Sequence, residues 1–285
     1  MMRKALLICA AVLAAIFVVL SLLGRGGEYG AEKTLHRALE KMRSIEENPD
    51  VVPPKIVASV ENDLKKVLDD FPEGGSARIA YPKLAELYLK SGKYDQAIAL
   101  SDEVIEKKPD NIALVSKAYF TKAFSYERKG QWDKALAELE ILKDKYINTP
   151  LGLQVPFYIA NYYLRAGEPD KAERSFGEAI EFYQRLMSSY AGTTLGYAAS
   201  DMLVQVYIYT GKFDEAGKTV EGIISDYPSG VALVRQVPYI ELIFVKMLKR
   251  PGKAAELFRK MEKETDDDRI KQYLEAAIKR TETIQ

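Results

Sequence analysis

Between Tyr81 and Ile105 the apolar positions fall into two stripes. Tyr81, Leu84, Ala85 and Tyr88 recur at helical spacing, and after a polar break Ala97, Ile98, Leu100, Val104 and Ile105 repeat the pattern. The spacing predicts two amphipathic helices. Gly92 supplies the left-handed conformation that ends the first, Asp95 stands where an N-cap or first-turn acid is favoured, and Pro109 cannot continue the second. The joining phrase, GKYDQA at 92–97, returns as GQWDKA at 130–135, GEPDKA at 167–172 and GKFDEA at 211–216. Its glycines lie 38, 37 and 44 residues apart, within the range of helical solenoids. The phrase therefore reads as the corner of a unit that buries its apolar face only by stacking, and not as a ligand loop. Ala97 faces the tight crossing of the two helices, where overpacking costs about 1–3 kcal/mol. Tyr94, with Trp132 and Phe213 as counterparts, fills the space beside it.

The same pattern recurs in Tyr119, Ala123, Tyr126, Gly130, Trp132, Ala135 and Leu139. Weaker versions run through Ile159, Ala160, Tyr163, Gly167, Ala172, Phe176 and Ala179, and through Leu203, Tyr207, Gly211, Phe213, Ala216, Ile223 and Pro228. A degenerate fifth has Leu242, Ala254, Phe258 and Met261, with Lys249 where the glycine belongs. Before them, Leu35, Leu39 and Met42, then Ile56, Val60, Leu64 and Val67, predict a further helix pair, with Pro53 and Pro54 at a helix start. After them, Ile270, Tyr273, Leu274, Ala277 and Ile278 predict a capping helix.

These residues resemble the tetratricopeptide repeat family, whose antiparallel helix pairs stack into a right-handed superhelix. The resemblance covers roughly residues 76–262 and implies an all-α, TPR-like α-solenoid of stacked antiparallel helix pairs. Its units fall near 28–75, 76–112, 113–150, 151–192, 195–230 and 233–264, with the cap at 266–283. The units are longer than the family's period of about 34 residues. The third has an extended second helix that stays apolar through Phe182, Tyr183, Leu186, Met187 and Tyr190.

Residues 1–27 belong to a different class. Ala5 to Leu23 carries no charge over 19 residues, and at about 1.5 Å each it reaches roughly the hydrocarbon thickness of a bilayer. The stretch is longer than the apolar region of a signal peptide, and GRGG at 24–27 is a poor cleavage site. The expectation is an uncleaved N-terminal signal-anchor, a transmembrane helix preceding the solenoid and joined to it by a glycine tether; a cleaved, soluble periplasmic form is the alternative. Arg3 and Lys4 face Arg25, Lys33 and Arg37 across the segment, so flanking charge is close to a tie. The short basic tail before the apolar run favours a single-pass inner-membrane protein with its bulk in the periplasm.

With 41 basic and 41 acidic side chains interleaved along the helices, no nucleic-acid footprint exists. Cys9 is the only cysteine, which excludes an intrachain disulfide and a cysteine-rich metal site. His36 is the only histidine; no nucleophile motif stands beside it, and an exposed helical position explains it. Asp69-Asp70 and Asp266 to Asp268 lack the spacing of a calcium loop and suit helix ends. No catalytic site, cofactor or metal is expected, and the chain reads as a non-enzyme.

The resemblance also implies where a partner lies, in the groove lined by the first helix of each pair. The groove positions are Pro82 and Glu86, Phe120 and Phe124, Phe157 and Asn161, Asp201 and Gln205, and Tyr239 and Ile243. The lysine and asparagine clamp of the chaperone-binding subset is replaced by Pro82 and Glu86, which disfavours that partner class. Phe120, Phe124 and Phe157 are not needed by the core pattern; either they form an apolar patch for a partner, or the long helices cover them. DDFPEGG and SDYPSG resemble phrases of bacterial envelope proteins of outer-membrane assembly and translocon-ancillary type. The expected role is a membrane-anchored scaffold or adaptor for other envelope proteins. The alternatives are a self-assembling or export-complex subunit, and ligand binding by a surface rich in the chain's 18 tyrosines, most of which occupy repeat core positions.

Overall fold

A computed structural model describes residues 28–44, 54–228 and 230–283. The expected membrane helix Ala5–Leu23 lies outside these residues, and no helix among the described residues is long and apolar enough to cross a membrane. The described residues form thirteen helices and no strand. They are α1 (28–44), α2 (Pro54–Asp70), α3 (Gly75–Lys90), α4 (Tyr94–Lys107), α5 (Ile112–Arg128), α6 (Trp132–Lys145), α7 (Pro150–Arg165) and α8 (Pro169–Ser189). Then follow α9 (Thr194–Tyr209), α10 (Phe213–Asp226), α11 (Gly230–Ile240, running on as π-turns over Glu241–Met247), α12 (Pro251–Lys263) and α13 (Asp268–Glu282). Two compact units divide at Ile141 and Leu142, within α6.

In the first unit, Arg37 pairs with Asp63 and Lys41 donates to Ser59, so α1 and α2 run antiparallel. Ala38, Val60, Leu64, Ala80, Leu84 and Ala97 are its buried seam. Ala97 is fully buried, which is why no larger side chain stands there. His36 is exposed on α1. The second unit is centred on Tyr183, Leu203, Ile224, Leu233 and Phe258, all essentially buried.

The four repeated glycines all adopt φ between 69° and 74°. At each, the residue after the glycine donates its backbone N–H to the carbonyl of a tyrosine five residues earlier: Lys93 to Tyr88, Gln131 to Tyr126, Glu168 to Tyr163 and Lys212 to Tyr207. The glycine itself bonds three residues back, completing a Schellman end. At the fifth corner Lys249 takes φ 56°, the only non-glycine with positive φ among the described residues. There Arg250 reaches back six residues to Phe244, and the preceding turns are π-helical. A side chain strains this conformation, and the corner widens by one residue.

Contacts between successive corners carry the repeat length directly. Arg128 reaches Tyr94 and Lys129 pairs with Asp95, each 34 residues away. In the second unit Gly192 donates to the Tyr227 hydroxyl and Lys260 to Ser225, each 35 apart, and Arg250 pairs with Asp214 at 36. Being exposed, such pairs contribute about 0–1 kcal/mol each. They mark the register of the stack, which burial stabilises.

The turn from one pair to the next has its own device, present twice in the second unit. The Tyr146 carbonyl accepts from the Thr149 N–H and hydroxyl, and Thr149 Oγ1 in turn caps the Gly152 N–H. Tyr190, Thr193 and Gly196 repeat this bond for bond. A Cβ on Gly152 would stand 2.1 Å from the Tyr146 oxygen, and one on Gly196 2.1 Å from the Tyr190 oxygen. Each glycine therefore lets the new helix rest on the last carbonyl of the old one.

Candidate partner-binding surface

The first helix of each pair carries the positions expected to meet a partner. In the first unit, Phe120 and Phe124 lie one turn apart on α5, where i and i+4 share a face. Both are half-buried, as are Pro82 and Glu86 on α3. Burial pushes the Glu86 carboxyl up, but Lys90 and Lys83, at 2.7 and 3.0 Å, outweigh it and hold the group below the ordinary carboxylate range. Lys122, between the two phenylalanines in sequence, bridges Asp102 on α4 and Glu138 on α6 at 2.9 and 2.8 Å. Burial opposes its charge, and the two carboxylates more than restore it. That bridge ties α5 to its neighbours on both sides.

In the second unit, Phe157 is half-buried and packed rather than free. Its ring meets Tyr209 edge-on at 5.3 Å and Phe176 at 6.2 Å, with Tyr209 half-exposed above. Asn161 donates from Nδ2 to the Phe157 carbonyl one turn back. Ile243, expected in the groove, is fully buried; it lies in the π-turns, whose extra residue per turn rotates the side chains relative to an α-helix. Asp201, expected in the groove with Gln205, is also buried, at 7% exposure.

Asp201 is the centre of a polar cluster between α9 and α11. Gln205 Nε2 donates to Asp201 Oδ2 at 2.9 Å, Gln236 Nε2 reaches the Tyr197 hydroxyl at 3.4 Å, and Gln205 hydrogen-bonds Tyr239. Gln236 is fully buried, and Tyr197, Gln205 and Tyr239 are half-buried. Burial pushes the Asp201 carboxyl up, with Gln205, Arg235 and Gln236 resisting. Burial and the charge of Asp201 push the Tyr239 hydroxyl up to about 12 and raise Tyr197 as well. An open cleft of about 270 Å³ follows the seam, lined by Thr193, Tyr197, Tyr227, Val231 and Arg235.

The structure thus gathers Gln205 and Tyr239 into one network, leaves Phe157 and Asn161 within their own packing, and sets Phe120 and Phe124 on the other unit. Tyr197 and Gln236 were not anticipated. Their signals were available: Tyr197, Asp201 and Gln205 are spaced by four, and Gln236 interrupts the apolar run around Val234 and Val237. Among the described residues, no group of three or more His, Cys, Asp or Glu side chains is placed to hold a metal ion.

Comparison with known proteins agrees with the repeat pattern. Two family models, each described as tetratricopeptide repeat, match residues 58–119 and 117–148. Mouse tetratricopeptide repeat protein 21A is 25% identical over 143 residues, covering 50% of this chain and 10% of that protein. The chain therefore spans only a small part of that relative's length. Among solved structures, yeast Tom70 aligns at 16% identity and TM-score 0.42, covering 89% of this chain and 59% of that one. A tetratricopeptide repeat protein from Parabacteroides merdae aligns at 17% identity and TM-score 0.36, covering 88% and 99%. Tetratricopeptide repeats are recognised in this chain, across residues 58–119 and 117–148.

Proposed function

We propose that the protein is a non-catalytic scaffold that binds another protein along the first helices of its repeats. In this reading the apolar stretch Ala5–Leu23 anchors it in a membrane, with the helical part on the envelope side. Repeats of this kind generally serve protein–protein interaction, and one observation carries the reading further. Phe120, Phe124, Phe157, Asn161, Gln205 and Tyr239, all on first helices, are half-buried: packed enough to be held in place, open enough to be touched. Aromatic side chains in that state are the usual anchors of protein recognition.

A photocrosslinking group placed at Phe124 in intact membranes should capture a partner chain, while one at Glu178, exposed on α8, captures it far less. Against the chain so identified, Phe120→Ala with Phe124→Ala should weaken binding by about 1 kcal/mol or more with helicity unchanged. Preferential capture from Glu178, or an unaltered affinity, removes the assignment of this surface.

A further inference from the structure

Each unit carries an open cleft at the same place in its repeat, on the edge formed by the turns that lead from one helix pair into the next. In the first unit the cleft holds about 540 Å³ and lies between the turn into α3, with Pro72 and Glu73, and the turn into α5, with Lys108 to Asn111. In the second unit the cleft of about 270 Å³ lies between the turn into α9, with Gly192 and Thr193, and the start of α11. The matching positions agree. Lys108 and Tyr227 cap the second helix of a pair, and four residues on Ile112 and Val231 stand in the first turn of the next helix. These two aliphatic side chains are left in water at the cleft mouths, 58% and 76% exposed.

Both clefts join an apolar lining to an unpaired guanidinium. Tyr81 and Leu114 are buried beneath the first, and the Tyr197 and Tyr227 rings, edge to face at 5.4 Å, line the second. Arg78 stands in the first cleft and Arg235 in the second; both are exposed, and among the described residues neither makes a hydrogen bond or an ion pair. By contrast, Arg37, Arg250 and Arg280 each pair with a carboxylate of another helix. In the first cleft Glu73 holds Lys108 and Glu103 holds Lys107, which leaves Arg78 and the exposed Asp110 as the unpaired charges. No carboxylate lines the second cleft, and the Tyr227 hydroxyl, which accepts from the Gly192 N–H at 3.2 Å, keeps its own proton to donate.

A guanidinium takes a carboxylate through two parallel N–H donors, and an aliphatic neighbour covers the apolar part of the same segment. We propose that these edge clefts bind an extended acidic segment of a partner protein, with a carboxylate on Arg78 or Arg235 and an aliphatic side chain against Ile112 or Val231. The surface is distinct from the groove of the first helices. Phe120, Phe124, Phe157, Asn161, Gln205 and Tyr239 line neither cleft, so the two assignments stand or fall separately.

The probe is a short synthetic peptide that alternates glutamate with leucine and carries a benzophenone. Irradiated with the full-length chain at low salt, it should label both clefts, and labelling should fall as ionic strength rises. Arg78→Gln should weaken labelling of the first cleft about fivefold and leave the second unchanged, and Arg235→Gln should do the reverse. Both arginines are exposed, so circular dichroism of the variants should match the wild type. Asp110→Asn removes the opposing charge and should strengthen labelling of the first cleft alone. Equal labelling by a peptide with glutamine in place of glutamate, or labelling indifferent to both arginine variants, overturns the proposal. So does a concentration-dependent mass that falls with Arg78→Gln while the peptide labels neither cleft, which would assign the clefts to a second copy of the chain.

Discussion

Gly152→Ala and Gly196→Ala should each lower the unfolding free energy by about 2–4 kcal/mol, measured from urea midpoints of the full-length chain. The added methyl at position 152 would stand 2.1 Å from the Tyr146 oxygen, 2.6 Å from its carbonyl carbon and 2.9 Å from the Leu142 oxygen. At position 196 it meets the Tyr190 oxygen at 2.1 Å and the Tyr227 hydroxyl at 2.7 Å. The main obstacles are backbone atoms at a helix end, already fixed by the Thr149 and Thr193 bonds, so no flexible side chain can swing away. Relief requires the incoming helix to lift, which separates it from the buried surface that holds the repeat. Gly177 and Gly222 provide the contrast. Both lie inside helices, and a Cβ at either would meet nothing within 4 Å, so alanine there should stabilise by about 0.5–1 kcal/mol through helix propensity alone. Equal effects at all four sites would mean that the close approach at Gly152 and Gly196 has no energetic consequence.

Tyr183→Phe should cost about 2 kcal/mol, a large effect for one oxygen atom, and should cost much less when combined with Pro156→Ala. Pro156 sits inside α7, where it has no N–H for the Gly152 carbonyl and its ring crowds that turn. One residue on, the fully buried Tyr183 donates its hydroxyl to the Leu153 carbonyl at 2.8 Å, and the Phe157 N–H approaches the Tyr183 hydroxyl oxygen. The hydroxyl therefore sits against the Leu153–Phe157 turn, next to the turn where Pro156 removes a helical bond. Burial raises the Tyr183 pKa far above its ordinary value, so the hydroxyl remains a donor throughout the accessible range. Loss of the hydroxyl takes a donor from the Leu153 carbonyl beside a turn already short of one bond; an ordinary helical residue at 156 restores that bond, so the same loss costs less. A double-mutant cycle by urea unfolding measures this coupling. Additive effects would show that Tyr183 merely fills volume.

These two devices also show where sequence reading reaches its limit. The corners at Gly92, Gly130, Gly167 and Gly211 were legible because a single local requirement, positive φ, selects glycine whatever surrounds it. Lys249 was legible as the exception for the same reason, although the π-turns that accompany it were not. The motif Tyr-x-x-Thr-x-Leu-Gly at 146–152 and again at 190–196 is plain once the structure is known. Local pattern does not reveal it, because the requirement for glycine there is tertiary: its φ is ordinary, and only the neighbouring carbonyl forbids a side chain.

The binding surface was partly legible on the same grounds. The four-residue spacing placed Phe120 with Phe124 and Asp201 with Gln205 on common faces, but periodicity does not report depth. In α9 nearly every position around Asp201 is apolar, so nothing local distinguishes a carboxylate at the groove from one beneath it. That distinction comes from Gln236 and Tyr239, 35 and 38 residues away, and from the π-turns that draw Ile243 inward.

Urea unfolding of two reciprocal corner variants, Gly211→Ala and Lys249→Gly, tests most directly the claim that the recurring phrase exists to turn one helix into the next. Alanine at 211 meets nothing within 4 Å, so its cost is conformational, about 1 kcal/mol, whereas glycine at 249 should relieve strain and stabilise by about 0.5–1 kcal/mol. Opposite signs at the two corners are the predicted result. No change at either, or destabilisation at both, would contradict it.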